Sequence, residues 1–231
     1  MNSSLVDYIK ISPNKSVRLS KIDTITIHCV VGQVSVERLG DIFAPTVRQA
    51  SSNYGVGADG RIGMYVEEKD RSWCSSSQDN DDRAVTIEVA SGTEHPYAVN
   101  DVAYNSLIQL VADICYRNGI KALVWSSNKE ERTRHLNGCN MTVHRDYANK
   151  SCPGEYLYSR MTDIEYKVNK ILEERREDEM EARYNTVDEC PDWAKDHIQH
   201  LVEIGVLKGI DGRLDLSQDM LRMLVIIDRI L

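Results

Sequence analysis

Long apolar runs are missing from this 231-residue sequence, and their absence limits the classes of protein that it can encode. No segment approaches the roughly 20 consecutive apolar residues of a membrane-spanning helix. The apolar run nearest the end, Met223 to Ile227, is closed by Asp228 and Arg229. Residues 1–5 carry neither a basic cluster nor an apolar stretch, so no secretory signal peptide is expected. We therefore expect a cytoplasmic protein without a membrane partner.

Dense cysteine spacing and a basic face are missing as well. The six cysteines are scattered and include no CxxC pair, so neither a disulfide framework nor a zinc finger is predicted. From Glu173 to the end the chain has 15 acidic and 8 basic side chains, against 21 and 20 before it. The net charge of −8 therefore lies almost entirely in the C-terminal segment. Because nucleic-acid binding needs a basic face, nucleic acid is not an expected partner.

The distribution of apolar residues predicts strands that alternate with helices. The composition, 42% hydrophobic and 28% charged, is typical of a soluble globular protein. Two buried strands are predicted at 23–31 and 83–90, and a hairpin at 54–66. The clearest helix is expected between a cap at Asn100 and a stop at Gly119. Strands interleaved with helices predict an α/β sheet with helical cover.

Three further elements are predicted from weaker patterns. We expect a short strand at 122–125, a polar helix at 127–136, and a long helix that starts at Pro153 and runs to about Arg183. Proline suits the first position of a helix because its missing N–H would have no partner there.

The last segment of the chain differs from the rest. A helix that ends at Gly205 and a second helix capped by Ser217 predict a small helical hairpin. His197 and His200 lie on its first helix, where no carboxylate or cysteine completes a metal site with them, and they are expected at the surface. The predicted organisation is a main domain at 1–175, a charged helical linker at 176–188 and the hairpin at 189–231.

One segment, HRDYANKSC, combines residues that can hold a metal ion with a cation beside them. His144 and Cys152 offer an imidazole and a thiolate, and Lys150 offers an ammonium that can meet developing negative charge. With His28 as a third ligand, the set is that of a catalytic zinc centre with one open position. Spacing alone leaves the alternative of an incidental histidine and a free thiol. His28 by itself is more typical of a hydrogen-bonded core histidine.

Four segments together resemble the zinc-dependent N-acetylmuramoyl-L-alanine amidases, a family that includes amidase-type phage lysozymes and animal peptidoglycan recognition proteins. They are ITIH at 25–28, SNYGVGADGRI at 52–62, AVTIEV at 84–89 and HRDYANKSCPG at 144–154. The resemblance covers about residues 20–175. It implies a central mixed β-sheet flanked by helices, and hydrolysis of the amide between the lactyl group of N-acetylmuramic acid and L-alanine by a zinc-activated water.

The resemblance also implies roles for individual residues. His28, His144 and Cys152 match the zinc ligands, and the retained cysteine favours a catalytic member of the family. Tyr54 matches the active-site tyrosine, which orients the water or stabilises the oxyanion. Lys150 matches the lysine two positions before the cysteine, where its charge can stabilise the oxyanion.

Three other positions keep more than one interpretation. Cys74 stands where many relatives have a histidine that is not a zinc ligand, so the change concerns contacts in the substrate groove. Glu88, in the middle of a predicted strand, touches the groove, supports a zinc-bound histidine or is structural. Asp146 supports a ligand or caps the loop.

The partner implied by the resemblance is bacterial peptidoglycan, and the implied protein is a phage or prophage endolysin that stays in the cytoplasm until its release to the cell wall. Two alternatives remain: a peptidoglycan-binding protein without catalysis, and an amidase that acts on soluble muropeptides in wall recycling. The C-terminal hairpin resembles half of a surface-layer-homology repeat, which implies attachment to the wall. Dimerisation through the hairpin into a homodimer is the equal alternative.

Overall fold

The computed structural model describes residues 2–231 of the chain, with the side chains of 179–181 outside the description. The chain divides into two compact units, Met1–Leu172 and Glu173–Leu231. Among the described residues, none of the helices combines the length and apolarity that crossing a membrane requires.

A six-stranded mixed sheet forms the centre of the first unit, in the order β1-β5-β4-β7-β3-β8. Its strands are β1 (Tyr8–Ile9), β3 (Thr24–Val31), β4 (Tyr54–Val56), β5 (Ile62–Met64), β7 (Ala84–Ser91) and β8 (Met141–Val143). Only the hairpin pair β4–β5 is antiparallel among these neighbours. A separate antiparallel pair joins β2 (Lys15–Val17) to β6 (Asp70–Ser72). The predicted central mixed sheet is confirmed.

Six helices accompany the sheet: α1 (Val36–Phe43), α2 (Gln78–Arg83), α3 (Asp101–Arg117), α4 (Lys129–Thr133), α5 (Gly154–Tyr158) and α6 (Met161–Glu181). The clearest of the sequence-predicted helices, α3, begins where the Asn100 side chain accepts a hydrogen bond from the amide of Ala103. Its buried residues, among them Leu107, Leu110 and Ile114, recur at helical spacing and pack in the main core with the sheet.

The register of β3 against β7 decides which side chains share a face of the sheet. His28 pairs with Glu88, and the preceding residues Ile27 and Ile87 pair with each other. On the other side of β7, Tyr54 pairs with Ile87. Because successive side chains of a strand point to opposite faces, His28 and Glu88 lie on one face. Tyr54 lies on the other face, with the two isoleucines.

The predicted strand at 122–125 is wrong. Its backbone is bound by side-chain amides instead of a neighbouring strand: Val124 N–H donates to Asn140 Oδ1 at 2.8 Å, and Leu123 N–H donates to Asn169 Oδ1 at 2.7 Å. These bonds satisfy the backbone without a β-ladder, so the segment stays irregular.

The predicted helix from Pro153 to about Arg183 is interrupted. The helix α5 ends at Tyr158 and α6 begins at Met161. The Arg160 guanidinium donates to the carbonyl oxygen of Tyr156 at 3.2 Å and lies over its ring. This contact satisfies a carbonyl that the end of α5 leaves unpaired.

The predicted helix at 127–136 is shorter than expected, and a short helical turn also lies earlier in the chain. Thr46–Arg48 forms a single 3-10 turn, and Lys129–Thr133 is a five-residue helix capped by Asn128. The polar segments that flank them carry few apolar residues that could bury a longer helix.

The second unit contains β9 (Arg183–Tyr184), α7 (Asp192–Glu203), β10 (Leu216–Ser217) and α8 (Gln218–Asp228). The predicted helical hairpin is confirmed, with Ser217 accepting from the amide of Met220 at the start of α8. The expectation for His197 and His200 was incomplete, because Asp228 accepts from Nδ1 of both at 2.6 Å and so ties α7 to α8.

Candidate metal centre

Three predicted ligands meet at one end of neighbouring strands. His28 lies on β3, and His144 follows β8 directly, where Ile27 and Val143 are register partners. Cys152 returns to them because the loop is closed by a hydrogen bond from Arg145 N–H to the Cys152 carbonyl at 3.2 Å. Ligand atoms of the three side chains all lie within 4.8 Å of one another.

The donor atoms of this group fit a zinc ion. Zn–S and Zn–N bonds of about 2.3 and 2.0–2.1 Å at a tetrahedral angle place sulfur and nitrogen about 3.6 Å apart. Cys152 Sγ lies 3.5 Å from Nδ1 of His28. Ser76 Oγ lies 3.0 Å from Nε2 of His144, so an outside partner engages one ring nitrogen and the other is available to a metal.

The pKa values of both imidazoles are lowered, which favours the neutral form that can bind a cation. Burial, followed by the nearby His144, lowers the pKa of His28 to about 3. Burial, followed by the charge of Lys150, also lowers the pKa of His144. Both rings are therefore neutral at pH 7, the form that binds metals.

The thiol of Cys152 is held in its protonated form in the metal-free chain. Its hydrogen bond with the Cys29 thiol, and then burial, raise the pKa of Cys152. The amide of Cys29 also donates to Cys152 Sγ at 3.4 Å. A metal ion would have to displace the thiol proton, so its affinity should weaken as the pH falls.

A buried ion pair holds the turn that carries His144. Asp146 accepts from Arg132 Nη2 at 2.6 Å and from Nε at 2.9 Å, and both side chains are at most 2% exposed. The same carboxylate accepts from the amide of Val143 at 3.1 Å. Asp146 is thus the cap of the loop, one of its two predicted roles.

Glu88 forms the second polar group on the His28 face. Its Oε2 and Nε2 of His28 are both buried without a hydrogen-bond partner among the described residues. A nitrogen of His28, the sulfur of Cys74 and an oxygen of Glu88 lie within 4.8 Å of one another. Burial, followed by the charge of Cys29, raises the pKa of Glu88 to about 8. Such a carboxyl can take up and release a proton near neutral pH.

Lys150 lies on the exposed rim of the centre. It lines an open cleft together with Arg145, His95 and Tyr97, and its charge reaches His144. Its role as a cation beside the metal stays a prediction.

Tyr54 is not brought to the centre. It is fully buried on the opposite face of the sheet, where its hydroxyl donates to Glu68 Oε1 at 2.7 Å and accepts from the amide of Ser3 at 3.0 Å. The pairing of β4 with β7 turns the ring toward α3, so an active-site role is at odds with its position.

The sequence analysis did not predict that Glu88 lies beside His28. The available signal was a carboxylate in the middle of the apolar strand Ala84–Ser91, where an unpaired charge is costly. Its pairing with His28 depends on two strands 60 positions apart, which local patterns do not define.

Three solved structures share this fold. PlyL aligns with a TM-score of 0.52 and 15% identity over 71% of this chain and 96% of its own. A selenomethionine derivative of AmpD aligns with a TM-score of 0.51 and 17% identity over 70% of this chain and 95% of its own. A mutant endolysin from Bacillus subtilis aligns with a TM-score of 0.51 and 16% identity over 71% of this chain and 99% of its own. At these identities the likeness shows the fold. No curated protein matches the chain.

The amino-acid sequence identifies the protein family more closely than the fold does. The family model of N-acetylmuramoyl-L-alanine amidase matches residues 18–155, more than half of the chain. The chain belongs to the N-acetylmuramoyl-L-alanine amidase family. The membership supports amidase activity on peptidoglycan, and the match ends before the C-terminal hairpin, whose resemblance to a surface-layer-homology repeat stays a prediction.

Proposed function

We propose that the chain is a zinc-dependent peptidoglycan hydrolase that cleaves the amide between the lactyl group of N-acetylmuramic acid and L-alanine. The observation that carries the proposal is the meeting of His28, His144 and Cys152, whose ligand atoms lie within 4.8 Å. Two nitrogens and one sulfur leave a position for a reactant, as in catalytic zinc sites.

His28, His144 and Cys152 would hold the zinc ion. Zinc, when bound, supplies a Lewis acid that polarises the amide carbonyl and makes a nucleophile available at neutral pH. The strands β3 and β8 and the loop closed at Cys152 fix the three ligands in advance, so little reorganisation is needed on binding.

Glu88 and Lys150 would carry the remaining charges of the reaction. Glu88 can accept a proton from the attacking water at a carboxylate oxygen and pass it to the departing nitrogen of L-alanine. A dication nearby would lower the pKa of Glu88 from about 8 and favour the accepting form. The ammonium of Lys150 can stabilise the negative charge that develops on the carbonyl oxygen.

We include in this proposal that the chain acts as an endolysin. One structural neighbour is named as an endolysin from Bacillus subtilis, and its catalytic fold is shared over 71% of this chain. Attachment of the C-terminal hairpin to the wall, or its dimerisation, stays a prediction.

Zinc analysis combined with mass spectrometry of digested cell walls tests the proposal. We expect about one zinc per chain and new L-alanine N-termini. Cys152→Ala should lose zinc and lower activity by about 1000-fold, because several kcal/mol of transition-state stabilisation depend on the metal. Cys139→Ala, at a buried thiol outside the centre, is the matched control. Lys150→Ala should keep the zinc and lose turnover.

Three outcomes would reject the proposal or part of it. A zinc-loaded protein that binds walls and releases no L-alanine N-termini would be a binding protein. Full activity of Cys152→Ala without zinc would remove the metal from the reaction. Turnover of soluble muropeptides without action on intact walls would favour a role in wall recycling.

A further inference from the structure

A cleft borders the candidate metal centre, and its walls are fixed by the backbone. One wall is the turn His95–Tyr97, which is bound to the start of α5 by a hydrogen bond from Tyr156 N–H to the Pro96 carbonyl at 3.0 Å. Gly154, with φ of +79°, lies so close to this turn that a Cβ would stand 2.9 Å from Tyr97 Cβ. The cleft is therefore a built feature of the fold.

Arg145 is the cation that this cleft holds most firmly. Its guanidinium lies 4.2 Å from the ring centre of Tyr158 and donates to the Ser151 carbonyl at 2.6 Å. Its Nη1 is 3.4 Å from Glu155, a longer contact with a half-exposed carboxylate. Its Nε is buried and has no hydrogen-bond partner among the described residues. Arg145 is thus held in a fixed position by a ring and a carbonyl, and its only charged partner among the described residues is the half-exposed Glu155.

The cleft is positively charged, although the chain as a whole is negatively charged. Arg145 and Lys150 outnumber the one carboxylate among its lining residues, Glu155, while the chain as a whole carries a net charge of −8. A local excess of positive charge beside a reaction centre selects anionic ligands.

We propose that Arg145, with Lys150 beside it, recognises a carboxylate of the peptide part of the substrate and so makes the enzyme specific for acidic stem peptides. The inference rests on the proposed amidase function. Once the lactyl carboxyl is joined in an amide, the glycan of peptidoglycan is uncharged, and the peptide supplies the anionic groups. The residue after L-alanine is a D-glutamyl residue whose α-carboxyl is either free or amidated.

Arg145 directly follows a predicted metal ligand, and the D-glutamyl residue directly follows the L-alanine at the scissile amide. The Cα atom of Arg145 is one peptide step, about 3.8 Å, from the Cα atom of the predicted ligand His144. The D-glutamyl residue is likewise one peptide step from the L-alanine whose nitrogen leaves. A planar guanidinium held by a ring and a carbonyl distinguishes carboxylate from carboxamide, because only the carboxylate accepts with both oxygens.

Two soluble substrates that differ in one group test the proposal: N-acetylmuramoyl-L-alanyl-D-glutamate and N-acetylmuramoyl-L-alanyl-D-isoglutamine. We expect the natural chain to show about a tenfold lower KM for the free carboxylate. Arg145→Gln should reduce the ratio of the two KM values to about one, mainly by weaker binding of the acid. Dissociation constants for the zinc-depleted protein, from calorimetric titration, should show the same ratios without turnover.

Two further variants distinguish a specific effect of Arg145 from a general loss of structure. Arg160→Gln removes another guanidinium that lies over a tyrosine, 3.8 Å from the ring of Tyr156 and outside the cleft lining, and should leave the ratio unchanged. Glu155→Gln removes the carboxylate that competes for Arg145, and should increase the preference for the acid.

The outcomes separate the two proposals. Equal KM and dissociation constants for both substrates with the natural chain would overturn the role of Arg145 and leave the amidase function intact. An unchanged preference in Arg145→Gln would do the same. Failure to release L-alanine N-termini from walls and from both fragments would overturn the proposed function itself.

Discussion

Two carboxylates, the buried Glu68 and the partly buried Glu88, lie on opposite faces of the same sheet and differ in how their oxygens are satisfied. Each oxygen of Glu68 accepts two hydrogen bonds, from Tyr54 and Arg117 at 2.7 Å, and from Asn118 and Arg117 at 2.9 and 3.1 Å. Glu88 has one weak contact, 3.9 Å from the sulfur of Cys74, and a buried oxygen without a partner in the described chain.

The difference separates a structural carboxylate from one that is a candidate for chemistry. A buried carboxylate whose oxygens all accept hydrogen bonds contributes to stability as part of its network. A buried carboxylate with an empty acceptor is costly, and such groups persist at sites of chemistry. The number of hydrogen-bond partners therefore distinguishes the two residues.

Arg117→Leu should have the largest effect, and on stability. It leaves Glu68, 1% exposed, as a buried charge without its guanidinium, and should lower the free energy of unfolding by about 3–5 kcal/mol. Urea denaturation measures this change. Arg134→Ala, which removes an exposed pair with Glu130, should cost less than about 1 kcal/mol. Equal losses in the two variants would contradict the structural role of the Glu68 network.

Glu88→Gln should have the opposite profile. We expect kcat to fall by about 100-fold or more, because a proton carrier is removed, while the zinc content stays the same. The free energy of unfolding should not decrease, since an unpaired buried acid is replaced by a neutral amide. Steady-state kinetics and denaturation on the same preparation give both values, and a normal kcat would make Glu88 structural like Glu68.

The pH dependence of stability sharpens this test in the zinc-depleted protein. The pKa of Glu88 is raised to about 8, so the folded chain binds more protons than the unfolded chain between about pH 5 and 8, and stability falls as the pH rises. The natural chain should lose about 1 kcal/mol relative to Glu88→Gln between pH 6 and 7. His28, whose lowered pKa acts in the opposite direction, is common to both proteins and cancels. A pH-independent difference would be incompatible with a raised pKa at Glu88.

Tyr54→Phe should have the smallest effect. It removes one hydrogen bond to the Glu68 carboxylate and should lower the free energy of unfolding by about 1–2 kcal/mol. The kcat on peptidoglycan fragments should stay unchanged, because the ring lies on the face away from His28. A large loss of kcat with normal stability would return Tyr54 to the active site.

Local patterns were enough to predict the main strands, the helix α3 and the C-terminal hairpin, because alternation and capping are written within a few residues. The meeting of His28, His144 and Cys152 was also predicted, although through a family resemblance. Their spacing in the sequence left a free thiol as an equal alternative.

The features that local sequence patterns did not determine depend on distant partners. The face on which Tyr54 lies is set by the pairing of β4 with β7, which the tyrosine's own segment does not determine. The run 122–125 is apolar enough for a strand, yet the amides of Asn140 and Asn169 bind its backbone first. Glu88 became informative only when His28 was seen beside it.

The long parallel pairing of β3 with β7 has a consequence for how this chain can vary in length. Eight consecutive residues of β3, from Thr24 to Val31, are matched one to one with β7. Inserting or deleting a single residue within β3 before His28 would exchange the two faces of the strand and replace the imidazole with a neighbour such as Cys29 or Ile27. A length change inside this strand would therefore move the His28 imidazole away from the other two predicted ligands.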